Sequence, residues 1–201
     1  MRSDMVYRYK QYTPYIHPEA FVHPQACVTG CVRIGAKVYV GPYAVLRGDF
    51  GEIIIEDGCN IQEHCMIHMF PGVTVHLKEN VHVGHGAIIH GAEIGQNCLI
   101  GMNSVIMDHV IIGSECIVGA MSFIKEGETY STKQLIAGNP ARVIRDVSDE
   151  MIGWKSKGTA LYQQLAEDMN KDFSLAEPLR QIPEDWQVPN GAYASWNKTK
   201  K

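Results

Sequence analysis

The chain has no long apolar run, no cluster of lysine and arginine, and no C-x-x-C pair. Lacking an apolar span of about 20 residues, or a shorter one behind a basic N-terminus, it gives no reason to expect a bilayer crossing or a secretory leader. With no basic run and a formal net charge of -4, it offers no electrostatic footprint for nucleic acid or an anionic membrane. Its six cysteines lack the paired spacing of a zinc ribbon. The expectation left is a cytoplasmic protein acting on small molecules. At 201 residues, 45% hydrophobic and 20% charged, it has material for one globular domain and an appendage.

What is present is a beat of six. Apolar residues recur at Ile16, Val22, Val28, Ile34, Val40 and Leu46, resume at Ile55, Ile61 and Ile67, and return after an insertion at Val83 and Ile89. One residue early, the beat continues through Ile94, Ile100, Ile106, Ile112, Val118 and Ile124. A period of six is neither the 3.6 of a helix nor the 2 of a flat strand. It is the hexapeptide repeat of a parallel β-helix, in which three hexads close one triangular coil. Glycine follows the beat at Gly35, Gly41, Gly84, Gly95, Gly101, Gly113 and Gly119, where a tolerance of positive φ is expected to be useful. Four residues after the beat come small side chains, among them Ala44, Cys59, Cys65, Cys98, Ser104, Cys116 and Ser122. Four of the six cysteines are therefore expected to be buried, reduced thiols.

The predicted fold class is all-β, a parallel β-helix with a C-terminal α-helix. Residues 1–15 form a strand-like lead, 16–127 the coil with its site, 128–147 an exit turn around Ala137 to Val143, and 148–201 a helix and irregular tail. Ser148-Asp149-Glu150 reads as an N-cap with an acidic first turn. Met151, Ile152, Trp154, Leu161, Tyr162, Leu165 and Met169 suit a helix face lying on the coil. Pro178, Pro183 and Pro189 break up the tail, and residues 196–201 are expected to be solvated.

Nine histidines must be sorted by position on the coil. His17, His23, His64, His76, His82 and His109 fall at edges, turns or in the insertion, where a solvated histidine is ordinary. His68, His85 and His90 can converge. From Ile67 to Ile89 is 22 residues, and the stretch Met69 to Asn80 is expected to absorb the excess of four over an 18-residue coil as an outward loop. His68 and His90 then stack on one face. By the same shift Ile61 lies under Val83, which brings Gln62 and His85 together on a neighbouring face. One prism cannot readily aim two faces at one ion, whereas three around a threefold axis can. Three imidazoles with an open position is the catalytic zinc arrangement. If they instead merely line a trimer contact, they need other hydrogen-bond partners. Imidazole ligands suit zinc, iron and cobalt alike.

The stretches Arg47-Gly48-Asp49, Asn60-Ile61-Gln62, His68, Gly84-His85, His90-Gly91 and Gly101-Met102 resemble the γ-class carbonic anhydrases. Trp154-Lys155, Gly158-Thr159, Tyr162 and Glu177-Pro178-Leu179-Arg180 are similar, more narrowly, to the PaaY/CaiE branch, associated with phenylacetate degradation and the carnitine operon. The resemblance implies a left-handed β-helix homotrimer with a metal at each subunit interface. It implies His68, His85 and His90 as ligands, Arg47 and Asp49 as an interfacial ion pair, and Gln62 as hydrogen-bond partner of a metal-bound hydroxide. Members of the PaaY branch are associated with hydrolysis of coenzyme A thioesters, so the resemblance implies CO2 or a thioester carbonyl as the electrophile. Glu63 stands where many relatives have aspartate, so the hydrogen bond assigned to that carboxylate is expected to be longer or absent. The loop from Met69 to His76 offers no carboxylate to shuttle protons, leaving His64 or His76 as weak substitutes. Phe70, Met102 and Asn103 are the candidate substrate-binding residues, the first two bordering an apolar acyl group. Two other classes stay open: a hexapeptide acyltransferase, using a histidine base and coenzyme A without metal, and a non-catalytic metal-binding scaffold.

Overall fold

The computed structural model describes residues 5–189, 191 and 193–196. The beats become short parallel strands on three faces of a solenoid. Ile16, Ile34, Ile55, Leu77, Ile94, Ile112 and Tyr130 stack on the first face. The second carries Val22, Val40, Ile61, Val83, Ile100, Val118 and Ile136. The third carries Val6, Val28, Leu46, Ile67, Ile89, Ile106 and Ile124. From Val28 to Ile124 every beat residue is 0% or 1% exposed, so each contributes about 2 kcal/mol of apolar burial to one continuous core.

The insertion is smaller than the spacing suggested. Only the segment around Phe70, Pro71 and Gly72 bulges out; Thr74–Leu77 is a strand, and Leu77 is a buried beat residue between Ile55 and Ile94. The excess of four is absorbed within half the length assigned to it.

Glycine after the beat serves another purpose than the one expected. None of those seven glycines has positive φ; the left-handed residues come two places later, as at Lys37, Tyr43, Asn97, Asn103, Glu115 and Met121. What excludes a side chain is the next coil. A Cβ on Gly101 would lie 2.4 Å from the amide nitrogen of Ala120, and one on Gly95 2.5 Å from that of Ser114. The small position four after the beat is likewise more than a space-filler. Cys59, Cys65, Cys98 and Cys116 are buried, and their thiols donate to the carbonyls of Lys78, Gly84, Gly113 and Ser131, corner oxygens on the neighbouring coil.

The coil also runs past residue 127. Thr129–Tyr130 and Gln134–Gly138 continue the first and second faces, because Tyr130 and Ile136 occupy beat positions. The segment read as an exit turn is a strand pair: Gln134–Gly138 folds back through the cis Asn139–Pro140 peptide onto antiparallel Ala141–Asp146. Helix α1, Asp149–Asp172, then runs along the second face. Ser148 caps it, its Oγ accepting from the amide of Met151 at 3.3 Å. The buried stripe is Met151, Lys155, Gly158, Thr159 and Ala166, while Leu161 is about half exposed, so the seated face is rotated from the expected one. Trp196 is half-buried, its ring 6.0 Å from that of Trp154, and not solvated as expected; residues 197–201 lie outside the described residues.

Lys155 explains the rotation. Its stem is buried and its Nζ donates to Asn80 O at 2.5 Å and Asn97 Oδ1 at 2.7 Å, pinning α1 to two coil corners. Burial lowers its pKa to about 8, against a weaker opposing pull from Cys98 and Cys59. An unfolded lysine titrates near 10.4. The folded value is the lower one, so the unfolded chain binds more protons between the two: the cost of the buried amine is fully present below about pH 8 and fades as pH rises. We expect the protein to gain about 1–2 kcal/mol relative to Lys155→Met between about pH 7.5 and pH 9.5 in urea melts. A pH-independent difference would contradict this account.

Candidate metal centre

Two long strands, Cys27–Ile34 and Val45–Ile55, carry the chain around the corner from the third face to the first. Gly30 and Gly48 make the close crossing there: a Cβ on Gly30, at φ +78°, would meet Gly48 O at 2.4 Å. The extra residues of this bend place Arg47, Asp49 and Phe50 beside the end of strand Met66–His68. One coil on, His90 ends strand Ile88–His90 directly in register with His68.

The two imidazoles lie with centroids 5.3 Å apart and planes at 62°. Two imidazoles on one tetrahedral ion with metal–nitrogen bonds of about 2.1 Å have centroids roughly 5 Å apart, so the pair fits a shared ion. His90 Nδ1 is 2.7 Å from both oxygens of Asp108, a carboxylate 1% exposed. That contact leaves Nε2 facing outward, as metal-binding histidines require. Asp108 was missed in the sequence; it lies 18 residues after His90, one coil on, and that spacing was its only signal.

His68 is held differently. Its Nε2 is 2.9 Å from Asp49 Oδ1 and 2.9 Å from Arg47 Nη2, while Arg47 Nε is 3.3 Å from Asp49 Oδ2. The Arg47–Asp49 pair, expected at a subunit interface, forms within this chain and holds His68 by Nε2, a single ring nitrogen that either accepts from Arg47 or donates to Asp49. Phe50 and Phe70, both more than half exposed, flank the pair at 5.4 Å from His68 and 5.0 Å from His90.

His85 sits on the corner before strand Ile88–His90, at the far end of the same face from His90. Among the described residues, no three His, Cys, Asp or Glu side chains converge on one point within the chain. His85 Nδ1 is 2.5 Å from Glu63 Oε2. The bond expected to be long or missing with glutamate at this position is therefore short, because Glu63 lies on the corner directly beneath and its extra methylene spans the step between coils. Gln62 is buried; its amide nitrogen bonds Asn60 Oδ1 at 3.0 Å and His82 Nε2 at 2.7 Å. With both amide hydrogens engaged, it can meet a further donor only through Oε1.

The other candidates are dispersed. Met102, half exposed, lies one coil beyond His85 and on a different corner from Phe70. Asn103, at φ 54°, is the turn residue there, its backbone N–H donating to His85 O at 2.9 Å. His64 stacks on Tyr43, and His76 bonds Glu56 at 2.6 Å on the first face.

Residues 91–126 match the family model "Bacterial transferase hexapeptide (six repeats)". The carnitine operon protein CaiE of Salmonella agona is 47% identical over 89% of this chain and 90% of its own, and that of Escherichia coli K12 is 47% identical over 89% and 91%. The chain belongs to the CaiE family. Solved structures share the fold: a Bacillus cereus protein provisionally described as an acetyltransferase, 32% identical, has a TM-score of 0.81 over 83% of this chain and 96% of its own. A hexapeptide transferase family protein of Anaplasma phagocytophilum, 29% identical, has a TM-score of 0.78 over 83% and 98%. Membership accounts for the shared coil; among the described residues no helix is long and apolar enough to cross a membrane.

His82 differs from the other histidines in being pressed under α1. Its ring meets Tyr162 edge-on at 5.3 Å, and its Nδ1 is buried without a hydrogen-bond partner among the described residues. Burial, followed by the positive charges of Lys155 and His85, pulls its pKa down to about 3. An unfolded histidine titrates near 6.5, so stability tied to this neutral ring is lost as pH falls below that value. We expect ring-nitrogen NMR to show His82, assigned by comparison with His82→Gln, still neutral at about pH 5. An imidazolium signal there would show that water reaches the ring.

Proposed function

We propose that this protein is a metal-dependent enzyme of the γ-carbonic-anhydrase type, in which His68 and His90 of one subunit and His85 of the next hold a zinc-type ion in a homotrimer. The observation that carries this is the His68–His90 pair at 5.3 Å, with His90 and His85 each turned by a carboxylate so that Nε2 is free. Such an ion supplies a water activated near neutral pH and a Lewis acid for an electrophilic carbon. The carbon is that of CO2 or of a coenzyme A thioester.

The protein's own groups have distinct parts in this reading. Asp108 and Glu63 fix the tautomer and angle of His90 and His85. Arg47 and Asp49 hold His68 and keep the bend between the third and first faces in register. Gln62 presents Oε1 to a donor beside His85. Phe50 and Phe70 exclude water from the mouth.

Acyl transfer with histidine as base is the second reading, favoured by the solved relatives described as transferases. Metal content separates the two, since a transferase of that kind has no use for converging imidazoles. Elemental analysis of anaerobically purified protein should find about one ion per subunit, and paired CO2 and thioester assays should then find turnover that a chelator removes. Light scattering should give the mass of three chains. His85→Ala should lose the ion and at least about tenfold in activity with an unchanged circular dichroism spectrum, because no beat residue is touched. A metal-loaded monomer, or full activity in His85→Ala, would remove the reading.

A further inference from the structure

Along the second face the outward rungs read Phe21, Tyr39, Asn60, His82, Leu99 and Ile117, stacked in that order. The second half of α1 covers the aromatic pair: Phe21 and Tyr39 form a small core with Ala166, Tyr162, Leu165, Met169 and Phe173. Leu99 and Ile117 have no such cover. Between them and α1 is a cleft of about 800 Å³, walled by Trp154, Leu161, Tyr162 and Leu165.

Three features mark this cleft as built for a ligand. Its walls are largely apolar, and the polar side chains among them are few: Lys155 and His82, which are bonded to the coil, and Gln62 and His85, the two groups placed beside the reacting carbon above. Its floor on the coil side is kept low by Gly84, Gly101, Gly119 and Ala120, and on the helix side by Gly158. Its outer edge is closed by the tail. Trp154 Nε1 donates to Ala194 O at 2.8 Å, Tyr193 stacks on Trp154 at 5.6 Å, and the Tyr193 hydroxyl donates to Trp154 O at 3.3 Å. Pockets of about 300–1,000 Å³ with apolar walls and a few convergent polar groups suit organic ligands. CO2 needs neither the volume nor the walls.

We propose that this cleft is the acyl pocket of the site, taking the apolar acyl group of a thioester whose carbonyl lies at Gln62 and His85. The inference rests on the hydrolytic reading above and selects, of its two electrophiles, the thioester. Of the two residues expected to border the acyl group, Met102 lines this cleft with Leu99, Ile117, Trp154 and Leu161, whereas Phe70 lies outside it.

The test uses two series on the metal-loaded protein. S-alkyl coenzyme A thioethers from methyl to octyl, which cannot be hydrolysed, are titrated against Trp154 fluorescence, and the matching acyl thioesters are assayed for turnover. Affinity and kcat/KM should each rise about fourfold per methylene that enters the cleft. Ile117→Trp fills the cleft and Leu161→Glu charges its wall, and both should flatten the two series. Two variants on opposite walls, each checked for trimer mass, guard against a folding defect in either. A flat series in the unaltered protein, or a slope that both variants keep, would overturn the pocket while leaving hydrolysis standing. A binding slope without turnover of any thioester would keep the cleft as an apolar ligand site and remove the hydrolytic reading.

Discussion

The close approach of one coil's backbone to the next at the corners is the constraint on which everything else depends. A corner amide lies within 2.4–2.6 Å of where a Cβ would sit on Gly95, Gly101 or Gly113, so at these corners the coils approach as closely as glycine allows. That spacing lines up the beat residues into an unbroken core and holds the corner carbonyls within reach of the cysteine and serine donors of the neighbouring coil. It also fixes side chains along the axis at regular intervals. His68 and His90, Glu63 and His85, His90 and Asp108 are all pairs one coil apart, and their contacts follow from the stacking without further design.

The sequence made the core legible because apolar burial in a solenoid is strictly periodic. The His68–His90 pair was legible for the same reason, once one excess of four residues was subtracted. Features without a period were not. The function of the corner glycines, the hydrogen bonding of the cysteines and the hairpin after residue 134 depend on what lies one coil away, and only backbone coordinates give that. The seat of α1 was misjudged because hydrophobic pattern alone cannot foresee that a lysine will be the buried anchor, with Asn80 and Asn97 as its acceptors. Glu63 was misjudged by analogy with aspartate, since the reach of one methylene matters only when the partner's position is known.

The helix adds to the coil an asymmetry that the repeat cannot supply. A solenoid presents three equivalent flat faces; α1, tied down by Lys155 at one point and by aromatic contacts at its C-terminal half, closes on one part of one face and stands off another. The result is an apolar cavity beside a set of polar groups, on a scaffold whose own outward rungs would otherwise be open surface. Gln62 and His82 belong to both parts, since they are coil residues buried by the helix.

The hairpin of Gln134–Gly138 and Ala141–Asp146 has a further consequence. A stack of parallel coils ends in a row of unpaired backbone groups, which could template another chain without limit. By reversing direction, Ala141–Asp146 places an antiparallel strand across the last rung of the second face, with Arg142, Arg145 and Asp146 exposed along it. On this face the reversal removes the parallel edge on which a further coil would stack.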